Sequence, residues 1–480
     1  MILPILYKDF YKVDHRSQYP KGTELVYSNI TPRSVRIEGV DRVVVFGIQY
    51  FIKDYLIRRF NEGFFKLPKD EVMKKYKRRI ENALGKDAIT FDHIEALHDL
   101  GHLPIEIKAL PEGSLCHIRV PFLTIKNTKP EFFWLTNFLE TIMCNVIWGA
   151  VTSATTAYEY KKVLTKAADE TSDIPEFVQW QGHDFSMRGM FGLEAALISG
   201  GGHLLSFTGT DTIPAIDFLE QFYNADSDKE LIGASVPATE HSVMCMGGKE
   251  SEEETYKRLL TEVYPKGVIS IVSDTWDYWK IFEKVLPALK KTIMARDGKL
   301  VIRPDSGNPV AVIIESVLRL WDIFGGTVNS KSFKQLDSHV GIIYGDSITL
   351  ERCKLICEGL KEKGFASTNV VLGIGSYTYQ YVTRDTYGIA MKSTYGVING
   401  KPYEIFKDPV TDSGIKKSAK GLLCVNEDFS LTECCTEDQE ASGLLKIVFK
   451  DGFSFNETSL AEIRNRMTHP QLIKESKGNE

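Results

Sequence analysis

The residues best suited to chemistry lie in the run Val301-Ile302-Arg303-Pro304-Asp305-Ser306-Gly307-Asn308-Pro309, where an apolar segment ends in an arginine, a carboxylate and a Gly/Pro turn. An arginine fork binds a phosphate or a planar polar ring, and an aspartate binds ribose hydroxyls or hydrated Mg²⁺. The run therefore indicates a site for a phosphorylated sugar. It could also be no more than a turn closed by a structural ion pair.

Apolar segments with similar ends recur along the middle of the chain, separated by segments with helical spacing. They cover residues 268–272, 300–302, 340–344 and 370–372, with an earlier segment at 204–207 that ends in Thr208-Gly209-Thr210-Asp211. Continuous apolar strands that alternate with amphipathic helices are typical of βα units around a parallel sheet. The middle of the chain is therefore predicted to form a β/α barrel.

In such a barrel the loops after the strands gather at one rim, where active sites lie. The residues expected to converge there are Asp211, Asp274, Asp277, Arg303, Asp305, Asp346 and Gly375. For any one of the acidic residues, capping the N-terminus of a helix is the commoner role. Carboxylates crowded on one rim would nevertheless repel one another unless cations offset their charge, which favours a ligand site.

The composition is typical of a globular enzyme larger than one ordinary domain, with 480 residues, 43% of them hydrophobic and 25% charged. A net charge of −6, from 58 basic and 64 acidic side chains, makes nucleic acid an unexpected partner. No apolar stretch approaches the roughly 20 residues of a membrane span, and the N-terminus lacks signal-peptide features. We therefore expect a cytoplasmic protein that does not bind a membrane. The eight cysteines include no CxxC pair, which favours free thiols over disulfides or a zinc site.

The flanks lack strict alternation of strand and helix and are predicted to form one α+β domain from both chain ends. Residues 1–180 contain predicted strands at 24–27 and 115–120 and helices at 47–59 and 131–146. Residues 386–480 contain hairpin-like strands at 395–399 and 444–449 and a last helix from Ser459. The barrel domain, residues 181–385, lies between them. The polar segment 408–421, rich in Lys and Ser, is predicted to be a mobile loop.

Three further clusters of residues could bind a ligand or take part in catalysis. Phe185 and Arg188 are three residues apart and could face one ligand, although Phe185 could equally belong to the core and Arg188 to an ion pair. Glu240 and His241 follow a proline loop and could transfer protons or accept a phosphoryl group, whereas a lone histidine is more often structural. The run Gly373-Ile374-Gly375-Ser376 lacks the third glycine of a dinucleotide fingerprint, but backbone amides there could hold a phosphate.

Together these motifs resemble those of the nicotinamide phosphoribosyltransferases, which belong to the type II phosphoribosyltransferase family. The matching runs cover nearly the whole chain and lie at residues 9–15, 183–189, 209–212, 235–242, 273–277, 302–309, 383–385 and 406–409. The resemblance implies the irregular β/α barrel of that family and a homodimer with shared active sites. It also implies that nicotinamide and phosphoribosyl pyrophosphate give nicotinamide mononucleotide and pyrophosphate in NAD salvage. Mg²⁺ would take part, and ATP hydrolysis would be coupled through a phosphohistidine.

The resemblance further implies roles for single residues around the base and the sugar. Phe185 and Tyr11 of the other subunit should sandwich the pyridine ring, and Asp211 should accept a hydrogen bond from its carboxamide. Arg303 should contact the base and the phosphoribosyl group, and Asp305 and Asp346 should contact the ribose. Arg188, Gly375 and Ser376 should contact the 5′-phosphate. Ser235, Ser273 and Gly345 are also implied to contact the substrate.

The same resemblance implies roles in handling pyrophosphate and ATP. Asp277 should position Mg²⁺, largely through pyrophosphate and water, and His241 should accept the phosphoryl group with Glu240 beside it. The cations expected to neutralise pyrophosphate are Arg33, Arg384 and Lys392. The chain departs from the family pattern where Ser376 and Tyr377 continue its glycine-rich loop. It also departs at Phe10, where the family commonly has a small polar residue.

Two other functions remain open from the sequence. A nicotinate phosphoribosyltransferase would share the fold, but it would bind a carboxylate that Asp211 should repel. A non-catalytic binding or signalling protein on the same scaffold would not need His241 as a phosphoacceptor.

Overall fold

The computed structural model describes residues 2–345, 347–406 and 419–469. Its internal contacts divide the chain into two compact units. The end unit comprises Met1–Thr155, Leu219–Ala225 and Thr383–Glu480, and the barrel unit comprises Thr156–Phe218 and Asp226–Val382. The boundaries placed from the sequence after residues 180 and 385 stay predictions.

The strands are numbered in chain order. They are β1 (Thr23–Pro32), β2 (Arg42–Val44), β3 (Ile105–Ala109), β4 (Leu115–His117), β5 (Leu123–Asn127), β6 (Gly182–Asp184), β7 (Gly209–Thr210), β8 (Lys266–Val272), β9 (Asp297–Arg303), β10 (Gly326–Val328), β11 (Lys334–Leu336), β12 (Val340–Tyr344), β13 (Val370–Ile374), β14 (Ile389–Ile398), β15 (Lys401–Glu404), β16 (Cys424–Val425), β17 (Leu431–Thr432), β18 (Lys446–Lys450) and β19 (Phe453–Ser454).

The α-helices are numbered in the same way. They are α1 (His15–Gln18), α2 (Ile48–Tyr50), α3 (Lys69–Leu84), α4 (Asp92–Leu100), α5 (Leu135–Phe138), α6 (Glu140–Thr171), α7 (Val178–Gln181), α8 (Leu193–Leu204), α9 (Ile213–Tyr223), α10 (His241–Gly247), α11 (Glu252–Arg258), α12 (Tyr278–Lys280), α13 (Leu286–Met294), α14 (Pro309–Phe324), α15 (Leu350–Glu362), α16 (Ser376–Tyr379), α17 (Glu437–Ser442) and α18 (Leu460–Thr468). π-Helical segments lie at Phe51–Arg59, Asn61–Phe65, Leu259–Val263 and Ile281–Val285. 3₁₀ turns lie at Pro4–Leu6, Phe10–Lys12, Pro130–Phe132, Pro175–Phe177, Met187–Gly189, Lys249–Ser251, Ser367–Asn369 and Arg384–Thr386.

The end unit contains a seven-stranded antiparallel sheet in the order β15-β14-β1-β5-β3-β18-β19. Its central strands come from the first part of the chain and its outer strands from the last part, which confirms the predicted α+β domain built from both chain ends. The predicted hairpin after residue 449 is also present. Asp451 and Gly452 take positive φ angles of 48° and 93° between β18 and β19, as a tight hairpin turn requires.

The barrel unit contains a six-stranded parallel sheet in the order β7-β6-β13-β12-β9-β8. Both of its edges pair with residues 234–238, here called the bridging segment: Ala234 pairs with Gly209 of β7, and Ala238 pairs with Ser270 of β8. Because one short segment pairs with both edges, the sheet curves round on itself. The strands also follow one another around the sheet in chain order, which confirms the predicted irregular β/α barrel.

Helix α14 shows how the sequence sets an element next to the rim. The side chain of Asn308 accepts a hydrogen bond from Ala311 N at 3.2 Å, and Pro309 occupies the first turn, where its missing N–H costs nothing. Ile313, Val317 and Leu320 then recur at helical spacing and are buried. The turn after Asp305 is therefore also the start of a helix that packs on the sheet.

Some elements predicted from the sequence were wrong in detail. Residues 204–207 are the end of α8 and the following turn, and the strand at that place is the two-residue β7. A short buried apolar run does not distinguish a strand from a buried helix end, which explains the error. The helix predicted at 131–146 is interrupted at Leu139 and continues as α6 to Thr171. Most of the segment predicted to be mobile, residues 408–418, lies outside the described residues.

The structure also bears on membrane-spanning helices and on the state of the cysteines. Within the described ranges, no helix is long and apolar enough to cross a lipid bilayer. All eight cysteines are free thiols, of which Cys245 and Cys434 are exposed.

We predict that His93 makes the end unit sensitive to acid. His93 is buried in α4, neither ring nitrogen has a hydrogen-bond partner within the described residues, and its ring packs edge-on against Trp134 at 4.7 Å. Burial, aided by the charge of Arg16, lowers the pKa of His93 from 6.5 to about 4. As the pH falls from 6.5 to 4, the unfolded chain therefore binds a proton that the folded chain does not. Over that pH range the free energy of unfolding should fall by up to about 3 kcal/mol.

The measurement is the melting temperature at pH 7 and pH 5 for the wild type and for His93→Leu. The variant cannot bind this proton in either state, so its melting temperature should fall less between the two pH values. An equal fall in both proteins would contradict the prediction.

Candidate active site

The barrel unit brings most of the predicted site residues to one rim. Because its strands are parallel, their carboxyl ends lie at the same edge of the sheet. The residues that follow these ends in chain order are Phe185 after β6, Asp211 after β7, His241 after the bridging segment, Ser273 and Asp274 after β8, Asp305 after β9, Gly345 after β12 and Gly375 after β13. Asp346 lies outside the described residues.

Asp211 is held by two neighbours through a single oxygen. His183 Nε2 lies 2.9 Å and Ser235 Oγ 2.6 Å from Asp211 Oδ1, while Oδ2 accepts no hydrogen bond from any described residue. Burial alone would raise the pKa of Asp211. The hydrogen bonds from His183 and Ser235 and the charge of Arg303 outweigh it, and the pKa is lowered. Asp211 is therefore an ionised carboxylate with one oxygen available to a ligand.

The barrel contains a cavity of ≈ 410 Å³, which lies within the usual size range of small-molecule sites. Alternate residues of β8 and β9 line it, as expected for side chains that point inward. At the rim its walls include His183, Phe185, Asp211 and Arg303. The rings of His183 and Phe185 lie 4.6 Å apart at 40°, so an aromatic face and the Asp211 carboxylate border the same space. The cavity therefore suits a flat ring that carries a hydrogen-bond donor.

Arg303 supplies positive charge at the same rim. Its Nη2 donates to the carbonyl of Thr239, and its buried Nε has no partner within the described residues. Burial lowers the pKa of Arg303, while the charges of Asp305, Asp211 and Asp274 act to raise it. A partly buried guanidinium whose buried Nε is an unused donor suits a phosphate or another anion.

His241 and Asp274 face each other across two neighbouring strand ends. His241 is half-exposed, with Nε2 at 3.8 Å from Asp274 Oδ1 and Nδ1 at 3.2 Å from Thr275 Oγ1. Asp274 is buried, and its Oδ1 has no hydrogen-bond partner among the described residues. Its other oxygen, Oδ2, accepts from Asp305 N at 3.0 Å and from Ser306 Oγ at 2.6 Å. Asp274 therefore connects the imidazole to the loop that carries Asp305.

Ser273 and Asp277 have structural partners of their own. The buried Ser273 hydroxyl donates to Ile271 O and accepts from Tyr256 OH, each at 2.7 Å, so it braces the end of β8. Asp277 Oδ1 accepts from Trp279 N at 3.2 Å and Lys280 N at 3.3 Å, which makes it the N-cap of α12. Substrate and metal contacts of these two residues stay predictions.

The turn predicted to bind phosphate lies beside Arg188. Gly375 precedes the four-residue helix α16, and a Cβ atom placed on Gly189 would lie 2.0 Å from Ser376 Oγ. The two turns therefore touch. Tyr377 is exposed and stacks on Tyr381 with ring centroids 5.3 Å apart. Its ring points away from the core and leaves the Gly189–Ser376 contact in place.

The remaining predicted residues belong to the end unit. Tyr11 is exposed and its ring lies 5.4 Å from that of His15. Arg384 pairs with Asp385 at 3.5 Å, Lys392 is exposed on β14, and Arg33 follows β1. Their approach to the rim stays a prediction.

Four residues that contribute to the rim were not assigned a role from the sequence. They are His183, Thr239, Asp274 and Thr275. Asp274 was expected at the rim, but the position of its oxygens depends on contacts with residues 31 and 32 positions away in the chain. His183, next to the aromatic Phe185, carried the clearest sequence signal of the four.

Comparisons with known proteins agree with this geometry. Residues 180–453 match the model of the nicotinate phosphoribosyltransferase (NAPRTase) family, and residues 4–107 match that of the nicotinamide phosphoribosyltransferase N-terminal domain. The chain is 51% identical to the nicotinamide phosphoribosyltransferase of Acinetobacter baylyi, with 97% of each chain covered.

Two solved structures resemble the chain in fold. The nicotinate-nucleotide pyrophosphorylase of Pyrococcus furiosus matches with a TM-score of 0.57 at 14% identity, covering 97% of this chain and 94% of that one. The human nicotinic acid phosphoribosyltransferase matches with a TM-score of 0.54 at 16% identity, covering 97% and 93%. At these identities the likeness shows the fold, which is the fold predicted from the sequence.

We predict that Gly345→Ala displaces Asp305 without unfolding the protein. A Cβ atom at Gly345 would lie 2.0 Å from Asp305 Oδ1, so the carboxylate must rotate away, and a side-chain end can do this at little cost to the fold. Ribose 5-phosphate, a probe of the predicted sugar-phosphate site, should bind at least about tenfold more weakly because a charged hydrogen bond is lost.

Titration calorimetry measures the affinity, and the melting temperature serves as the control for folding. Unchanged affinity in a folded variant would show that Asp305 does not contact the sugar.

Proposed function

Because the chain belongs to the nicotinamide phosphoribosyltransferase family and is a pentosyltransferase, we propose that it transfers the phosphoribosyl group of phosphoribosyl pyrophosphate to nicotinamide. The products are nicotinamide mononucleotide and pyrophosphate, and the role is NAD salvage. The same membership confirms the resemblance noted from the sequence.

The ionisation and hydrogen bonding of Asp211 are the main support for nicotinamide as the substrate. Its Oδ1 is occupied by His183 and Ser235, and the lowered pKa keeps the group ionised. The remaining oxygen can accept a hydrogen bond from a carboxamide NH₂ while the ring stacks on Phe185. The carboxylate of nicotinate would instead place a second negative charge beside Asp211.

The reaction needs charge stabilisation more than proton transfer. Breaking the anomeric bond develops positive charge on the ribose and negative charge on the departing pyrophosphate. Carboxylates at the rim, among them Asp305, would stabilise the positive charge on the ribose. Arg303 would stabilise the negative charge on the pyrophosphate. The pyridine nitrogen is already a nucleophile, so holding the ring close to the anomeric carbon supplies much of the remaining rate enhancement.

Mg²⁺ fits this site as an ion held mainly by substrate. Within the described residues, no group of three or more His, Cys, Asp or Glu side chains could hold a metal ion. Mg²⁺ commonly keeps several waters and binds through phosphate oxygens and one or two carboxylates, for which Asp277 and Asp305 are the candidates. When bound, it would neutralise charge on the pyrophosphate. Arg188 with the Gly375-Ser376 turn would bind the 5′-phosphate, and Arg33, Arg384 and Lys392 would add positive charge.

We further propose that ATP hydrolysis is coupled to the reaction through phosphorylation of His241. The half-exposed imidazole lies at the rim, 3.8 Å from an Asp274 oxygen that accepts no hydrogen bond from the described residues, which supports a role in phosphoryl transfer. Glu240 lies beside it and accepts a hydrogen bond from Ser242 Oγ. The coupling would favour product formation without breaking the glycosidic bond itself.

Assembly and location complete the proposal. Tyr11 is an exposed aromatic side chain, which supports a homodimer in which it covers the pyridine ring in the site of the other subunit. Residues from both subunits would then form each active site. We propose a cytoplasmic location, where the substrates of NAD salvage are found.

The second candidate is nicotinate phosphoribosyltransferase activity, which the match to the NAPRTase family model favours. We predict that wild type prefers nicotinamide by a large factor, since a site built around a hydrogen bond can discriminate by about 10⁴-fold. Asp211→Asn removes the repulsion but keeps a hydrogen-bonding group. The ratio of kcat/KM for nicotinate to that for nicotinamide should therefore rise by at least about tenfold.

The assay measures kcat/KM for both bases in wild type and variant. Asp226→Asn is the matched control, since Asp226 is a carboxylate of the barrel unit whose partner is Lys229. A wild-type preference for nicotinate would refute the proposed function, and an unchanged ratio in Asp211→Asn would refute the role of Asp211.

We predict that His241→Ala abolishes ATP hydrolysis but leaves slow, ATP-independent formation of nicotinamide mononucleotide. Labelling by γ-phosphate-labelled ATP should be acid-labile and base-stable in wild type and absent in the variant. His339→Ala is the matched control, because His339 is also paired with an aspartate, Asp337 Oδ1 at 2.7 Å from its Nδ1. Full labelling of His241→Ala would show that another residue accepts the phosphate.

A further inference from the structure

A buried histidine lies beneath the rim and bonds to two of its loops. His203 is at the end of α8 and is fully buried. Its Nε2 lies 3.0 Å from the carbonyl oxygen of Gly209, in β7, two residues before Asp211. Its Nδ1 lies 2.7 Å from the hydroxyl of Tyr379, the last residue of α16, in the turn that begins at Gly375.

The direction of both hydrogen bonds follows from the chemistry of the partners. A carbonyl oxygen can only accept, so His203 Nε2 carries the proton and donates to Gly209. Nδ1 is then the unprotonated nitrogen and accepts from the hydroxyl of Tyr379. Burial lowers the pKa of His203, and the nearby Asp184 and His183 are the charged or titratable groups that face it. The imidazole is therefore neutral, with a single tautomer.

Packing leaves this imidazole little freedom to adapt. Its ring stacks on Phe207 with centroids 5.1 Å apart at 28°, and meets the Tyr379 ring edge-on at 5.9 Å. Tyr379 is itself buried. A shift of α16 would break a buried hydrogen bond unless His203, and with it the end of β7, moved as well. Buried polar groups left without partners are costly, so the two loops favour moving together.

The neighbouring residue of α16 bonds in a different direction. Thr378 Oγ1 lies 3.2 Å from the hydroxyl of Tyr160, which also donates to Ile348 O at 2.6 Å in the loop after β12. This contact holds α16 to the loop after β12 and does not involve His203. Thr378 therefore provides a way to loosen α16 without breaking its connection to β7.

We propose that His203 and Tyr379 are positioning residues that couple the nicotinamide-binding end of β7 to the phosphate-binding turn at Gly375, so that each ligand strengthens the binding of the other. The proposal rests on the proposed function, which assigns the base to Asp211 and the 5′-phosphate to the Gly375 turn. Coupling of this kind is reciprocal between the two ligands.

The test is Tyr379→Phe, which removes one oxygen atom and keeps the ring. Titration calorimetry on the full chain gives the Kd of nicotinamide without and with saturating ribose 5-phosphate, which occupies the phosphate site without reacting. In wild type, ribose 5-phosphate should strengthen nicotinamide binding by at least about fivefold, the lower end of typical coupling. In Tyr379→Phe the ratio should fall to near one, because Nδ1 has lost its donor.

Two controls separate coupling from general damage. Tyr381→Phe changes a tyrosine that is 79% exposed and stacks on Tyr377, and it should keep the wild-type ratio. Thr378→Val removes the contact between α16 and the hydroxyl of Tyr160. The ratio of the two nicotinamide Kd values should stay close to that of the wild type. If Tyr379→Phe does not fold, His203→Gln serves instead, since an amide side chain cannot span both loops in the same way.

Several outcomes would overturn the proposal. They are a ratio near one in wild type, an unchanged ratio in Tyr379→Phe, or an equal loss in Thr378→Val. Failure of the proposed function is a separate result, shown by a wild type that forms no nicotinamide mononucleotide from nicotinamide and phosphoribosyl pyrophosphate. A wild type that forms product but shows no coupling would refute only this inference.

Discussion

Crowding of negative charge at one edge of a parallel sheet is the constraint on which the barrel unit depends. Parallel pairing brings Asp211, Asp274 and Asp305 to the carboxyl ends of their strands, around the partly buried guanidinium of Arg303. Arg303 and the nearby Arg188 carry two positive charges, which cannot neutralise three carboxylates. The rest of the compensation comes from hydrogen-bond donors: the imidazole and hydroxyl that bond Asp211, and the backbone N–H and hydroxyl that bond Asp274.

This compensation explains why the loops at the rim are tied to one another. Asp274 follows β8 and bonds to residues that follow β9, while Arg303 of β9 donates to Thr239 beyond the bridging segment. A side chain at Gly345, after β12, would displace the Asp305 carboxylate from the space it occupies. Each loop thus depends on its neighbour for position. A ligand that brings an anion to Arg303 would therefore act on several strand ends at once.

The sequence predicted the parts of this arrangement that are local along the chain. Apolar runs with helical segments between them located four of the parallel strands, and the run from Arg303 to Pro309 located a strand end and a turn. Contacts across loops could not be predicted in this way. His183 meets Asp211 across 28 positions and Arg303 meets Thr239 across 64, and nothing in the residue types marks such pairs. The run at 204–207 was misread because burial gives strands and helix ends the same composition.

Two carboxylates at the rim use one oxygen for structural hydrogen bonds and leave the other oxygen available. From the sequence, each acidic residue at the rim was either an N-cap or a site residue. In the structure, Asp211 uses Oδ1 for its neighbours and Asp274 uses Oδ2, and in each the second oxygen accepts no hydrogen bond from the described residues. Asp277 likewise caps α12 through Oδ1. The buried Asp184 differs, because Ser186 N bonds to one oxygen and Thr212 Oγ1 to the other. A carboxylate oriented by one oxygen presents the other in a fixed direction, so a hydrogen bond that stabilises the fold also sets the direction in which the second oxygen can accept a further hydrogen bond.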